Sequence, residues 1–116
     1  MKKSIFLSLF LLVFIALEAS AQKNAKLETI EIKTSAVCNM CKSSLETDLK
    51  YEKGVKTVKL DVLTKVLTVS YNPKKTNPDK IRKAVTKVGY DADSLPADPK
   101  AYEQLEDCCK KENPTH

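Results

Sequence analysis

Two cysteines two residues apart, in Cys38-Asn39-Met40-Cys41, are the clearest chemical feature of this 116-residue chain. Thiolates are soft donors, and soft donors select Cu(I) and other thiophilic ions. Zinc asks for more, with four ligands in a structural site and three in an open one. Val37 just ahead of the pair offers no carboxylate, and the one histidine is the terminal His116. Two sulfurs with no third fixed ligand suit a low-coordination ion that has to be handed on. Two rival readings of the pair stay open: a redox dithiol and a structural disulfide. Redox pairs more often carry proline or glycine between the cysteines, where Asn39 and Met40 stand here.

Other soft donors are few. Met40 has a thioether and is a candidate auxiliary ligand, or a side chain that merely packs beside the loop. Cys108 and Cys109 are neighbours in the chain. Adjacent cysteines bond to each other poorly, because a single peptide link holds their Cα atoms about 3.8 Å apart, short of ordinary disulfide geometry. They are candidate auxiliary metal ligands that fold back on Cys38 and Cys41. They could equally form a second soft-metal site, join disulfides, or leave Cys109 as a core residue beside Tyr102 and Leu105. His116 reads as a frayed end or as a partner of the tail cysteines. Lys42 and Lys50 read as a solvated helix face or as a basic docking edge.

The elements that position these residues follow from periodicity. Leu27 to Thr34 alternates, with Ile30 and Ile32 on one face and Thr29, Glu31 and Lys33 on the other, which predicts a half-buried strand. Cys41, Leu45 and Leu49 recur every four residues, which predicts an amphipathic helix stopped around Tyr51 to Gly54. One cysteine therefore sits in the loop and the other in the first helical turn. The helix N-terminus carries partial positive charge, which suits anionic sulfur. Val58 and Leu60, then Leu67, Val69 and Tyr71, alternate with polar residues and predict two strands joined around Asp61 to Lys65. Asn77-Pro78-Asp79 opens a helix with Ile81, Ala84, Val85 and Val88 on one face and Gly89 at its end. Tyr90 to Leu95 is expected to form a last strand. The predicted fold is α+β: a ferredoxin-like βαββαβ sandwich, a four-stranded antiparallel sheet with two helices on one face. Asp98-Pro99 is expected to cap a short tail helix with Tyr102, Leu105 and Cys109 on one face.

The chain begins with Lys2 and Lys3, an apolar run from Ile5 to Leu17, and Ala19-Ser20-Ala21. This is the pattern of a cleavable secretory signal peptide over residues 1–21, cut after Ala21. The 13-residue run falls short of the roughly 20 that a membrane-spanning helix needs, so no membrane insertion is expected after cleavage. Cleavage would leave 95 residues with a net charge of +4, against +5 for the whole chain. All three phenylalanines lie within the signal, so the core must be built from Val, Leu, Ile, Ala and Tyr. The expected layout is a flexible stretch at 22–26, one domain at 27–95 and a cysteine-containing tail at 96–116, monomeric and periplasmic or secreted.

Residues 27–95 resemble a heavy-metal-associated domain, the ferredoxin-like module of copper chaperones, metal-pumping ATPase N-termini and periplasmic mercury-binding proteins. The resemblance rests on the element order, on Cys38 and Cys41 at the strand-to-helix junction, on Gly54-Val55, and on Val88-Gly89-Tyr90. It implies that Cys38 and Cys41 are the metal ligands and that Tyr90 faces and shields the metal. The chain departs from the family's Gly-Met-Thr ahead of the first cysteine, where Ser35, Ala36 and Val37 stand. The functional expectation is an exported binding protein. It takes Cu(I), with Hg(II), Cd(II) or Zn(II) as alternatives, and buffers it or passes it to a metal-transporting ATPase. The rival is an exported thiol–disulfide oxidoreductase using the same pair. No general base, oxyanion hole or phosphate-binding loop points to an enzyme. Strands without an aromatic platform argue against nucleic acid as a partner.

Overall fold

The computed structural model describes residues 26–111. The signal-peptide expectation at 1–21, most of the 22–26 segment and His116 lie outside them. The first strand, β1 (Glu28–Lys33), leads into helix α1 (Asn39–Lys50); β2 (Val55–Asp61) and β3 (Val66–Tyr71) follow, then helix α2 (Pro78–Val88). A short helix α3 (Pro99–Glu103) and a 3-10 turn (Asp107–Cys109) close the described chain. None of these helices is long and apolar enough to cross a membrane.

The sheet is antiparallel with β3 in the centre, in the order β1-β3-β2. Its register stacks the alternating apolar positions into rows. Ile32, Leu67 and Leu60 lie side by side, and so do Ile30, Val69 and Val58. Cross-strand neighbours of this kind are the unit of sheet stabilisation. Cys41, Leu45 and Leu49 from α1 and Ile81, Ala84 and Val85 from α2 are buried in the same core. Replacing Leu45, which is fully buried, by Ala would cost about 2–5 kcal/mol.

Local chemistry sets the element ends. Asn77 Oδ1 accepts the Lys80 N–H at 2.9 Å, and Pro78 occupies the first helical position. The β2–β3 turn has no glycine. Asp61 Oδ1 instead accepts the N–H groups of Leu63 (2.9 Å) and Thr64 (3.3 Å), and Lys65 takes φ 64°.

The expected fourth strand is corrected to an isolated bridge. Among the described residues the sheet has three strands, and Ala92 pairs singly with Thr34. Three features stop the ladder. The Asp93 carboxylate accepts the Lys33 N–H at 2.9 Å, the place a strand carbonyl would take. Asp93 itself adopts φ 52°, off the extended path. Ala92 and Leu95 then exchange two backbone hydrogen bonds of 2.9 Å, which folds the chain into a tight turn just before Pro96.

The tail helix is also shorter than expected. Asp98 caps it as predicted, accepting the Lys100 N–H at 3.1 Å, but helix α3 ends at Glu103. Leu105 leaves the helix to lie against Gly89, and Cys109 rides on the separate 3-10 turn.

Candidate metal centre

The loop from Thr34 to Cys38 carries the chain from the sheet to α1. Thr34 Oγ1 donates to the Lys65 carbonyl (2.8 Å) and accepts the Ala36 N–H (3.2 Å). Ser35 Oγ accepts the Asp91 N–H at 2.9 Å. Ala36, at the position where the family places methionine, is fully buried. Cys38 is the N-cap of α1 in extended conformation, its side chain makes no capping bond, and no acidic residue occupies the first turn. The positive end of the helix is thus left to the sulfurs.

Cys38 Sγ and Cys41 Sγ stand 3.3 Å apart, both buried, as unbonded thiols. The tail adds to them. Cys109 Sγ is 3.8 Å from Cys38 Sγ, and the Cys109 carbonyl lies 3.7 Å from Cys41 Sγ. Cys108 Sγ is 3.8 Å from Cys109 Sγ and 3.5 Å from the Met40 thioether. The Sγ atoms of Cys38, Cys108 and Cys109 all lie within 4.8 Å of one another. The sequence offered this fold-back as one alternative among several, and the structure brings the tail thiols to Cys38. The signal available was the pairing of two unexplained cysteines with the Asp98-Pro99 helix start that turns the tail.

Gly89 makes the return of the tail sterically feasible. It sits at φ 120°, and a Cβ there would come within 3.0 Å of Leu105 Cδ2 and 3.1 Å of the Ala101 carbonyl. The Asp98 N–H bonds to the Thr86 carbonyl at 3.0 Å, and the Lys111 ammonium bonds to Asp91 at 3.0 Å. Partial burial works against ionisation of Asp91, yet the Ala97 N–H and Lys111 together hold its carboxyl below the usual range.

Tyr90 is fully buried, and among the described residues its hydroxyl makes no well-directed hydrogen bond, though the Cys41 and Cys109 thiols lie beside it. Burial, and next the Cys41 thiol beside it, push its ionisation well above the ordinary tyrosine value. Cys109 is raised in the same way, first by burial and then by Cys41. Of the other candidates, Met40 is half exposed. Lys42 is committed to structure: its ammonium donates to Glu46 (2.6 Å) and to the Leu60 carbonyl (2.9 Å), so it is not a free docking cation.

The donor set gathered at this corner is all sulfur, which fits a soft ion by donor chemistry. A heavy-metal-associated domain matches residues 33–91, about half of the chain. Over 63 residues the chain is 36% identical to copper-transporting ATPase 1 of Rattus norvegicus, a stretch covering 54% of this chain and 4% of that protein. Its fold superposes on the CopZ metallochaperone with a TM-score of 0.54 and 23% identity, over 56% of this chain and 98% of the other. It also superposes on the Cu(I)-loaded N-terminal domain of a potential copper-translocating P-type ATPase from Bacillus subtilis. There the TM-score is 0.55 and the identity 28%, over 59% of this chain and 86% of that one. The chain belongs to the heavy-metal-associated domain family.

Proposed function

We propose that this protein binds Cu(I) through Cys38 and Cys41 outside the cytoplasm and buffers it or hands it to a metal-transporting ATPase. The observation that carries the reading is the pair of buried thiols 3.3 Å apart at an uncapped helix N-terminus. Copper is favoured because the matched relatives are a copper-transporting ATPase and a Cu(I)-loaded ATPase domain. Export rests on the Lys-rich start, apolar run and Ala-Ser-Ala of residues 1–21. Delivery would proceed by thiolate exchange: a partner's thiolate bonds to the ion before one of the chain's own sulfurs leaves. No catalytic turnover forms part of this reading.

The test is an anaerobic Cu(I) titration of the reduced protein against a chromogenic chelator, beside a Cys38→Ser/Cys41→Ser variant. Tight one-to-one binding that the variant loses supports the reading. Absence of competitive binding by the reduced wild type overturns it, and turnover of a model disulfide would then move the oxidoreductase alternative forward.

A further inference from the structure

We propose that the C-terminal segment is part of the metal site: Cys108 and Cys109 close on Cys38 as three thiolates that hold one soft ion, and the Cys38/Cys41 pair is the form from which the ion is received and passed on. The protein would thereby retain its ion against exchange. This rests on the metal-binding reading above and deepens it, since the family match ends at residue 91 and leaves the tail outside.

Distances carry the argument. A metal–sulfur bond of about 2.3 Å sets sulfur–sulfur edges of about 3.8 Å in a tetrahedral site and about 4.0 Å in a planar three-sulfur one. The Cys38–Cys109 and Cys108–Cys109 separations are both 3.8 Å. The Cys38–Cys41 separation, at 3.3 Å, is shorter than either edge. Two edges of the trio therefore match coordinating geometry, the third (Cys38–Cys108) lies within 4.8 Å, and Cys38 belongs to both groups.

The trio is also built before any ion arrives. Leu105 and the Ala101 carbonyl seat against Gly89, the Asp98 N–H holds the Thr86 carbonyl, and Lys111 reaches Asp91. None of these contacts involves sulfur, so the tail is positioned by packing and hydrogen bonding alone. Preorganised ligands lose less freedom on binding, which favours affinity and slow release. The Tyr90 hydroxyl adds a second observation. Among the described residues it makes no well-directed hydrogen bond, and it lies beside the Cys41 and Cys109 thiols, where a metal-bound thiolate would accept its proton in a hydrogen bond. The Met40 thioether lies 3.5 Å from Cys108 Sγ.

Binding involves no change of oxidation state. Each coordinating thiol releases its proton to solvent as its sulfur bonds to the ion, so three protons leave where an open pair would release two. An incoming partner thiolate then meets an ion already held by three sulfurs, and as its sulfur bonds to the ion a tail thiolate leaves and takes up a proton from solvent.

The experiment is X-ray absorption at the copper edge of the full reduced chain loaded with one equivalent of Cu(I), beside a Cys108→Ser/Cys109→Ser variant. Copper transfer to a small dithiol acceptor is timed in parallel. Three sulfurs in the wild type, two in the variant, and transfer at least tenfold faster from the variant support the proposal. Two sulfurs in the wild type overturn it while leaving the Cys38/Cys41 reading intact, and this outcome needs no variant. Wild type that fails to bind Cu(I) overturns the metal reading and the proposal with it. Cys108→Ser alone, at a half-buried position, repeats the timing if the double variant does not fold; transfer at the wild-type rate then counts against the proposal.

Discussion

Cys109 Sγ lies 3.8 Å from Cys38 Sγ although 71 positions separate them in the chain. The contact joins the family domain to a segment outside the family match, and in the proposed site it makes the placement of the tail a variable of metal binding. Perturbing the seat of the tail, the buried tyrosine, the buried thiol or the brace beneath α1 should therefore give separable effects.

Gly89→Ala should loosen the tail. A side chain at φ 120° is strained by about 1–3 kcal/mol, and its Cβ would push against Leu105 and the Ala101 carbonyl. Stability in denaturant should fall by about that amount, and Cys109 should react with a thiol reagent at least tenfold faster than in the wild type. Unchanged Cys109 reactivity would mean that Gly89 does not seat the tail.

Tyr90→Phe should have effects of opposite sign on the empty and loaded protein. Removing a buried hydroxyl that makes no well-directed hydrogen bond among the described residues should stabilise the metal-free protein by about 1–3 kcal/mol. If the hydroxyl bonds to a thiolate in the loaded state, losing a bond to a charged group should weaken Cu(I) affinity by about tenfold or more. A variant that is less stable when empty and binds copper as tightly would contradict this role for Tyr90.

The pH dependence of the metal-free protein follows from Cys109. Burial raises its folded pKa above the ordinary 9.0, so the folded state keeps a proton that the unfolded chain gives up. Its contribution is present below pH 9.0 and is lost as pH rises above it. Denaturant midpoints should fall above that pH, and Cys109→Ala should flatten the fall. An equal fall in the variant would place the cause elsewhere.

Glu46 braces α1 against the sheet, accepting from Lys42 Nζ (2.6 Å) and from the Leu60 N–H (2.9 Å). Partial burial opposes ionisation of Glu46, but these bonds win and lower its folded pKa below 4.5. Its contribution is present above pH 4.5 and is lost as pH falls through the folded value. Glu46→Gln should cost about 1–2 kcal/mol at neutral pH, with less loss on acidification than the wild type. Cu(I) affinity should be unchanged, since the bonds of Glu46 run to Lys42 and Leu60 and none to a sulfur. A variant as stable as the wild type would remove Glu46 as the brace.

Much of the core was legible because its periods are clean. Ile30/Ile32, Leu67/Val69 and Cys41/Leu45/Leu49 fall on buried faces as their spacing predicts. The last strand misled because alternation cannot show a side chain replacing a backbone acceptor, which is what Asp93 does for Lys33. The tail was the least legible part. A five-residue helix leaves little periodic signal, and the docking of Leu105 depends on an absent side chain at Gly89. Cys38 and Cys41 stood out by spacing, whereas the approach of Cys108 and Cys109 is long-range geometry that no local pattern encodes.

The most direct test of the central claim is a nuclear magnetic resonance titration of the reduced, 15N-labelled protein with Cu(I) under anaerobic conditions. Backbone resonances of Ala36 to Lys42, Tyr90 and Cys108 to Cys109 should shift together and stop changing at one equivalent. Tyr51 to Gly54, beyond the far end of the 12-residue helix α1, should stay still. Shifts that scatter over the surface without saturating, or that spare Cys38 and Cys41, would contradict a copper site at the N-terminus of α1.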